Sequence, residues 1–477
     1  MFPLVEFPEL VQHYAPYFKD VFSAEAFIEF ERYISGLIVS ENKTVDGINR
    51  LFVIESRNQS SLNRLLTESP FSLEALNQAR LTLLASLPGT RMKPKGVVSV
   101  DDTLLTHYGQ EFEQIAKLFD PATGTYVWAH NLVTIHYSDD LTDYPLLFRL
   151  WQPVDLEKLE QGLRAAGIPL KADKEVWKVT NPRKWRGYLL GVWQRRQKSH
   201  PEIRDLYDSK LFIAQDLLRQ WVEAHPDWKL PVTFDDWYTQ PAFCRFLDQT
   251  LGLPYVGTLS GSDKVNLRTG QITLQEFAGR LKREHLEALH HGGQALFRSV
   301  TIPYKGEQEQ YYSYCNTHHI HNFGKQRPYG VVDLVINHRQ ADLSDNPAFF
   351  ISNRLVWQAA GITRIRRHRW PVEVYHEEGK AEGLDQYQLR DFGGIERHVA
   401  LAAVVYSLLR AAQHDPDLRE QLQRQLKVKL EGSAASWRRA TQAQALWSLG
   451  LFISTGLAQG QSLHAVMAPL IRAIYGC

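Results

Sequence analysis

Two pairs of adjacent aspartates end strand-like segments of this chain. Asp101 and Asp102 follow "GVVSV", and Asp235 and Asp236 follow "LPVTF". A third acid, Glu373, lies just inside a helix signalled by "RWPVEVYHEEGK", with Pro371 suited to the first helical position. Two aspartates and a glutamate make a hard oxygen donor set that suits Mg²⁺ or Mn²⁺. Two such ions about 4 Å apart can activate an attacking oxygen and stabilise a leaving oxygen on phosphorus. Side chains alternate faces along a strand, so only one acid of each pair should reach a shared site. Each acid also has a plainer reading: Asp-Asp-Thr is turn chemistry, and a glutamate in a first helical turn complements the helix dipole.

Arg369, Glu373, His376 and Lys380 recur at three- and four-residue steps and so share one helix face. Two cations flanking the carboxylate could hold a phosphate backbone while the acid holds a metal. Just upstream, "RLVWQAAGITRIRRHRW" (354–370) carries five arginines and no acid, Arg364, Arg366 and Arg367 among them. "RKWRGYLLGVWQRRQK" (183–198) is also basic and acid-free, with Trp185, Tyr188 and Trp193 interleaved. Such local charge is what phosphate binding uses, and aromatics can stack on unpaired bases. The alternative for both is a solvated charge run over buried aromatics.

The elements that must position these residues follow from periodicity. Residues 1–92 read as helices, with Thr44 and Ser60 or Ser61 as N-caps. They form either a helix-turn-helix DNA-binding domain or a plain helical subdomain. Strands are expected at 96–102, 124–140 and 144–153, a polar elaboration at 154–200, and a helix at 202–225. A strand at 230–236, a short helix at 241–252 closed by Gly252, and a strand at 253–261 complete the series. Three sequential strands pair as an antiparallel meander, and the helix-linked strands after them pair in parallel. That order is ribonuclease-H-like. Residues 262–355 read as a β-rich insertion, and those beyond 384 as mostly helical.

Here the chain resembles the DDE-type transposases of bacterial insertion sequences. "VDDTLLTHYG", "DDWY" and the long segment from "RWPVEVYHEEGK" to "VALAAVVYSLL" carry the resemblance. The signature Y-x2-R-x3-E-x6-K points to the IS-four superfamily and the subgroup numbered seven hundred and one. The resemblance implies Asp102, Asp235 and Glu373 as catalytic metal ligands. It implies Arg369 and Lys380 as DNA contacts, with Arg364, Arg366 and Arg367 beside them. Asp101 and Asp236 remain possible swaps. Arg366 stands where the motif has tyrosine, and arginine could still bind phosphate. The implied fold is α/β. An RNase H-like mixed-sheet core (96–261 and 356–395) is interrupted by a β-rich insertion (262–355) and flanked by helical regions (1–92 and 396–477). The implied activity is cleavage at terminal inverted repeats and joining of 3′-OH ends to target DNA, using two Mg²⁺ ions for which Mn²⁺ can substitute. The implied partners are double-stranded DNA and a second copy of the chain on paired ends. A transposase-derived DNA-binding protein without cleavage, and a metal-dependent nuclease that never joins strands, stand as alternatives.

Composition is compatible with this. At 477 residues, 44% hydrophobic and 22% charged, the chain is globular rather than disordered. A net charge of +1 leaves nucleic-acid binding to local patches. Three scattered cysteines, Cys244, Cys315 and Cys477, make neither a disulfide framework nor a CxxC site and suit a reducing cytoplasm. The apolar stretch 399–409 is too short to span a bilayer and reads as a buried helix, so no membrane partner is expected. "CNTHHIH" (315–321) places Cys315, His319 and His321 on one face. No second ligand cluster follows at finger spacing, so it reads as a polar strand. His130 and His136 read as structural or supporting residues.

Overall fold

The apolar and β-branched residues before Asp101 form the start of a long strand, β1 (Val97–His107), whose first residues are buried on both faces. The computed structural model describes residues 3–54, 57–321 and 328–475, so Cys477 lies outside the described residues. The hairpin partners of β1 follow as β2 (Ala116–Asp120), β3 (Thr125–Ser138) and β4 (Asp143–Trp151). β3 pairs antiparallel with β1, β2 and β4. β2 is absent from the sequence expectation because its five residues are never fully buried and lack β-branched side chains. Its turn closes at Gly124, whose φ of +68° favours glycine.

β5 (Val232–Phe234) and β6 (Tyr255–Leu259) then add in parallel, giving the order β3-β1-β5-β6. The chain between β4 and β5 is helical, ending in the expected amphipathic helix at Lys210–Ala224. This is a mixed α/β protein with parallel and antiparallel strands in one sheet, consistent with an RNase H-like core. The later strands are β7 (Lys264–Leu267), β8 (Gly270–Thr273), β9 (Arg298–Tyr304), β10 (Glu307–His321), β11 (Pro328–His338) and β12 (Ala348–Ser352). They extend that same sheet, because β12 pairs antiparallel with β6. A helix, Leu274–His290, also forms here, started by a Thr273–Glu276 capping box.

From β12 the chain enters the helix Ala359–Arg367. Ile362 and Ile365 pack it on Val97, Val256, Val335 and Phe350 of the sheet. This small core sets where the next helix, Trp370–Ala381, can begin. Val372 and Tyr375 are buried there, while Glu373 and Lys380 stay partly exposed.

The N-terminal helices share the main hydrophobic core with the sheet and with the helix Phe392–Gln413. That long helix could cross a membrane by length and composition, yet 78% of its most apolar window is buried. Thr44 is an N-cap, but Asn58 rather than Ser60 or Ser61 caps the helix Gln59–Thr67, its Oδ1 accepting from Ser60 N at 3.0 Å. Asparagine caps as well as serine does.

Arg80 joins these layers. Its side chain is fully buried and donates to the Pro145 carbonyl at 2.7 Å, the Leu146 carbonyl at 3.1 Å and Ser407 Oγ at 3.1 Å. Arg80→Met should leave these acceptors unpaired in a dry interior. The unfolding free energy should fall by roughly 3 kcal/mol in a denaturant titration. A fall below about 0.5 kcal/mol would show that the arginine is not the tie between the layers.

Candidate active site

The parallel pairing of β1 with β5 matches Ser99 to Thr233 and Val100 to Phe234. Continued by one residue, that register sets Asp101 beside Asp235, on the sheet face covered by the Ala359–Arg367 and Trp370–Ala381 helices. Arg369, the N-cap of the second helix, lies over both. Its Nη1 donates to Asp101 Oδ2 at 2.9 Å and its Nη2 to Glu373 Oε1. The three acids on this face thus converge around one guanidinium.

Asp102 turns the other way. Tyr238 donates its hydroxyl to Asp102 Oδ1 at 2.8 Å, and Oδ2 accepts from Asn131 Nδ2 at 2.6 Å and Lys210 Nζ at 2.8 Å. Three donors therefore hold this carboxylate. Asp235 accepts from the Tyr238 backbone N–H at 3.1 Å, which shapes the turn after β5, while Asp236 is exposed.

Electrostatics separates the acids further. Burial, then the neighbouring Asp235, pushes the Asp101 carboxyl up to about 7 despite Arg369. Burial also raises Asp235, with Asp236 and Asp102 adding to it. His376 is driven down to about 3 by burial and by Lys380, so it is neutral.

These groups line a cleft of about 1120 Å³ that also contains Arg366, Lys380, Lys210, Arg186 and Trp237. Arg366 is anchored by Nε on Thr258 Oγ1 at 2.7 Å. Arg364 and Arg367 do not line the cleft. Arg364 pairs with Asp140 at 2.8 Å, and Arg367 with Glu309 at 3.0 Å. Lys210 and Asn131 escaped sequence reading. No local spacing marks them, and Lys210 lies 108 residues from the acid it contacts.

The sites that sequence reading discounted are built into structure. His130 bonds Tyr387 Oη and the Glu113 carbonyl, and His136 is fully buried beside Asp143. Cys315, His319 and His321 lie on β10. Among the described residues, no three histidine, cysteine or acidic side chains are close enough to hold an ion as the chain stands. Arg369 occupies the space between Asp101 and Glu373.

Asp101 carries a stability consequence. The native state keeps its proton up to about pH 7, whereas an unfolded aspartate releases it near 3.8. The native state is thus favoured at low pH, and that advantage is lost as pH rises from about 4 to 7. In EDTA, Asp101→Asn should therefore stabilise the protein more at pH 8 than at pH 5. The difference should be on the order of 2 kcal/mol in urea titrations. An equal effect at both pH values would contradict the crowding of acids described above.

No curated protein matches the chain. The family model described as DDE superfamily endonuclease matches residues 17–283, more than half of the chain, a span that includes both aspartate pairs and stops before Glu373. Enzymes of this type act on DNA and use divalent metal ions. The chain belongs to the DDE superfamily endonuclease family.

Proposed function

We propose that the protein is a DNA transposase of the IS-four superfamily, in the subgroup numbered seven hundred and one. In this reading it binds terminal inverted repeats, cleaves at the element ends and joins the freed 3′-OH ends to target DNA. The observation that carries the reading is the convergence of Asp101, Asp235 and Glu373 on Arg369 in one cleft that also holds Arg366, Lys380, Lys210 and Arg186. Asp101 takes the role that motif matching assigns to Asp102, because it faces Asp235 and the glutamate helix while Asp102 is held by three donors.

The donor set fits Mg²⁺ or Mn²⁺. It is all oxygen, and burial with neighbouring acids raises both aspartates despite Arg369, so a further cation would be favoured there. When bound there, two such ions supply activation of the attacking oxygen and stabilisation of the leaving oxygen. The chain's own residues do the rest. Arg366, Arg369 and Lys380 bind and orient the DNA phosphates. Tyr238, Asn131 and Lys210 hold Asp102 and so steady the strand that carries Asp101. A phosphate entering the cleft competes for Arg369 and frees Asp101 and Glu373 for metal. We place the protein in the bacterial cytoplasm, associated with the nucleoid. We also read it as a homodimer on paired ends. The helix Ala434–Ala458 supports this reading by burying Ser436, Ala440 and Ala445 while exposing Leu446, Trp447 and Leu451.

Cleavage of a labelled duplex carrying the element's terminal repeat, with Mg²⁺, tests the assignment. Wild type should nick at the repeat boundary and join the 3′ end to a second duplex. Glu373→Gln and Asp101→Asn should lose activity at least a hundredfold, and Asp102→Asn should lose less. A larger loss for Asp102→Asn than for Asp101→Asn would return the first-aspartate role to Asp102. Binding without cutting would favour a DNA-binding descendant, and cutting without joining a nuclease.

The contact between Arg369 and the acids makes a separate prediction. Titration calorimetry of the DNA-free protein with Mn²⁺ should show tighter binding for Arg369→Ala than for wild type, by about tenfold, since a competing cation is removed. Equal affinities would show that Arg369 does not hold the acids against metal.

A further inference from the structure

The segment between β4 and the Lys210–Ala224 helix has a hydrophobic core of its own. Leu159, Leu163, Trp185, Leu189, Trp193 and Ile203 pack together apart from the main core. They set one helix, Pro182–Arg196, on the surface. Trp185 and Trp193 are buried, so they build this core and are not free to stack on bases. The cations beside them face solvent: Arg183, Lys184, Arg186, Arg195, Arg196 and Lys198 are all exposed.

None of these six has a carboxylate within salt-bridge distance among the described residues. That sets them apart from exposed arginines on other helices, such as Arg164, Arg280 and Arg424, each paired with a glutamate four residues away. Arg183, Gly187, Gly191 and Arg195 form one row at four-residue steps along the helix. A Cβ at Gly187 would meet nothing within 4 Å, and one at Gly191 only the end of the Arg195 side chain. Neither glycine serves packing within the chain, although glycine weakens a helix interior. Arg186, on the edge of the same helix, lines the acidic cleft, so the basic face continues the cleft wall.

We propose that helix Pro182–Arg196 grips the sugar-phosphate backbone of duplex DNA flanking the scissile bond, with the Arg183–Gly187–Gly191–Arg195 row against the strand. The cations supply sequence-independent attraction, and the glycines let the phosphates approach the helix backbone. This rests on the reading that the protein acts on DNA.

The test uses the full chain, EDTA, and a fluorescein-labelled 30-base-pair duplex of random sequence, followed by anisotropy across a KCl series. In the variant Arg183→Gln/Lys184→Gln/Arg195→Gln/Arg196→Gln, the plot of log affinity against log salt should become shallower by about 3 to 4, at about 0.9 per lost phosphate contact. Its affinity near physiological salt should drop more than tenfold. The pair Arg183→Lys/Arg195→Lys keeps the charge and should keep the slope. Gly187→Ala/Gly191→Ala should raise the melting temperature yet weaken DNA binding, a combination that a purely structural role does not produce. Unchanged slope and affinity in the fourfold variant, with wild type binding normally, would overturn the grip alone. Absence of binding by wild type at low salt would overturn the DNA reading and the grip with it.

Discussion

The site is organised by the burial of like charges. Parallel pairing of β1 with β5 brings Asp101 against Asp235 on a covered face of the sheet, where burial raises both carboxyls and Asp235 adds to the rise of Asp101. A cation must sit there for both to be charged. In the chain as it stands, Arg369 is that cation, reaching Asp101 and Glu373 together. The surrounding structure places this arginine. The Ala359–Arg367 helix is pinned to the sheet through Ile362 and Ile365, and the next helix starts at Arg369, against Asp101.

The rest of the fold builds around that arrangement. β12 returns from the later strands to pair with β6, so the chain re-enters the core sheet immediately before the glutamate helix. Arg80 ties an N-terminal helix to β4 and to the Phe392–Gln413 helix, close to Tyr375 of the glutamate helix. The strand carrying the acids, β1, is paired with β3 along one edge and with β5 along the other. Its second aspartate, Asp102, is part of the holding, since Tyr238, Asn131 and Lys210 converge on it from three elements.

Much of this was legible beforehand. The apolar run that opens β1, the amphipathic helix before β5 and the Pro371 helix start all have local causes. What escaped reading was non-local. β2 forms only because β3 offers it an edge, and Arg364 and Arg367 meet Asp140 and Glu309 only after the sheet folds. Asn58 displaced Ser60 and Ser61 as a cap because several nearby residues could serve and only the chain's path chose between them.

The sequence by itself determined the donor types, their order along the chain and the three- and four-residue spacing of Arg369, Glu373, His376 and Lys380, because helical periodicity is a local property. It also determined that one aspartate of each pair must face away from the other. Only the tertiary structure decided which one. Facing follows from strand register and from the helix that covers the sheet, and those depend on pairings between residues more than a hundred positions apart.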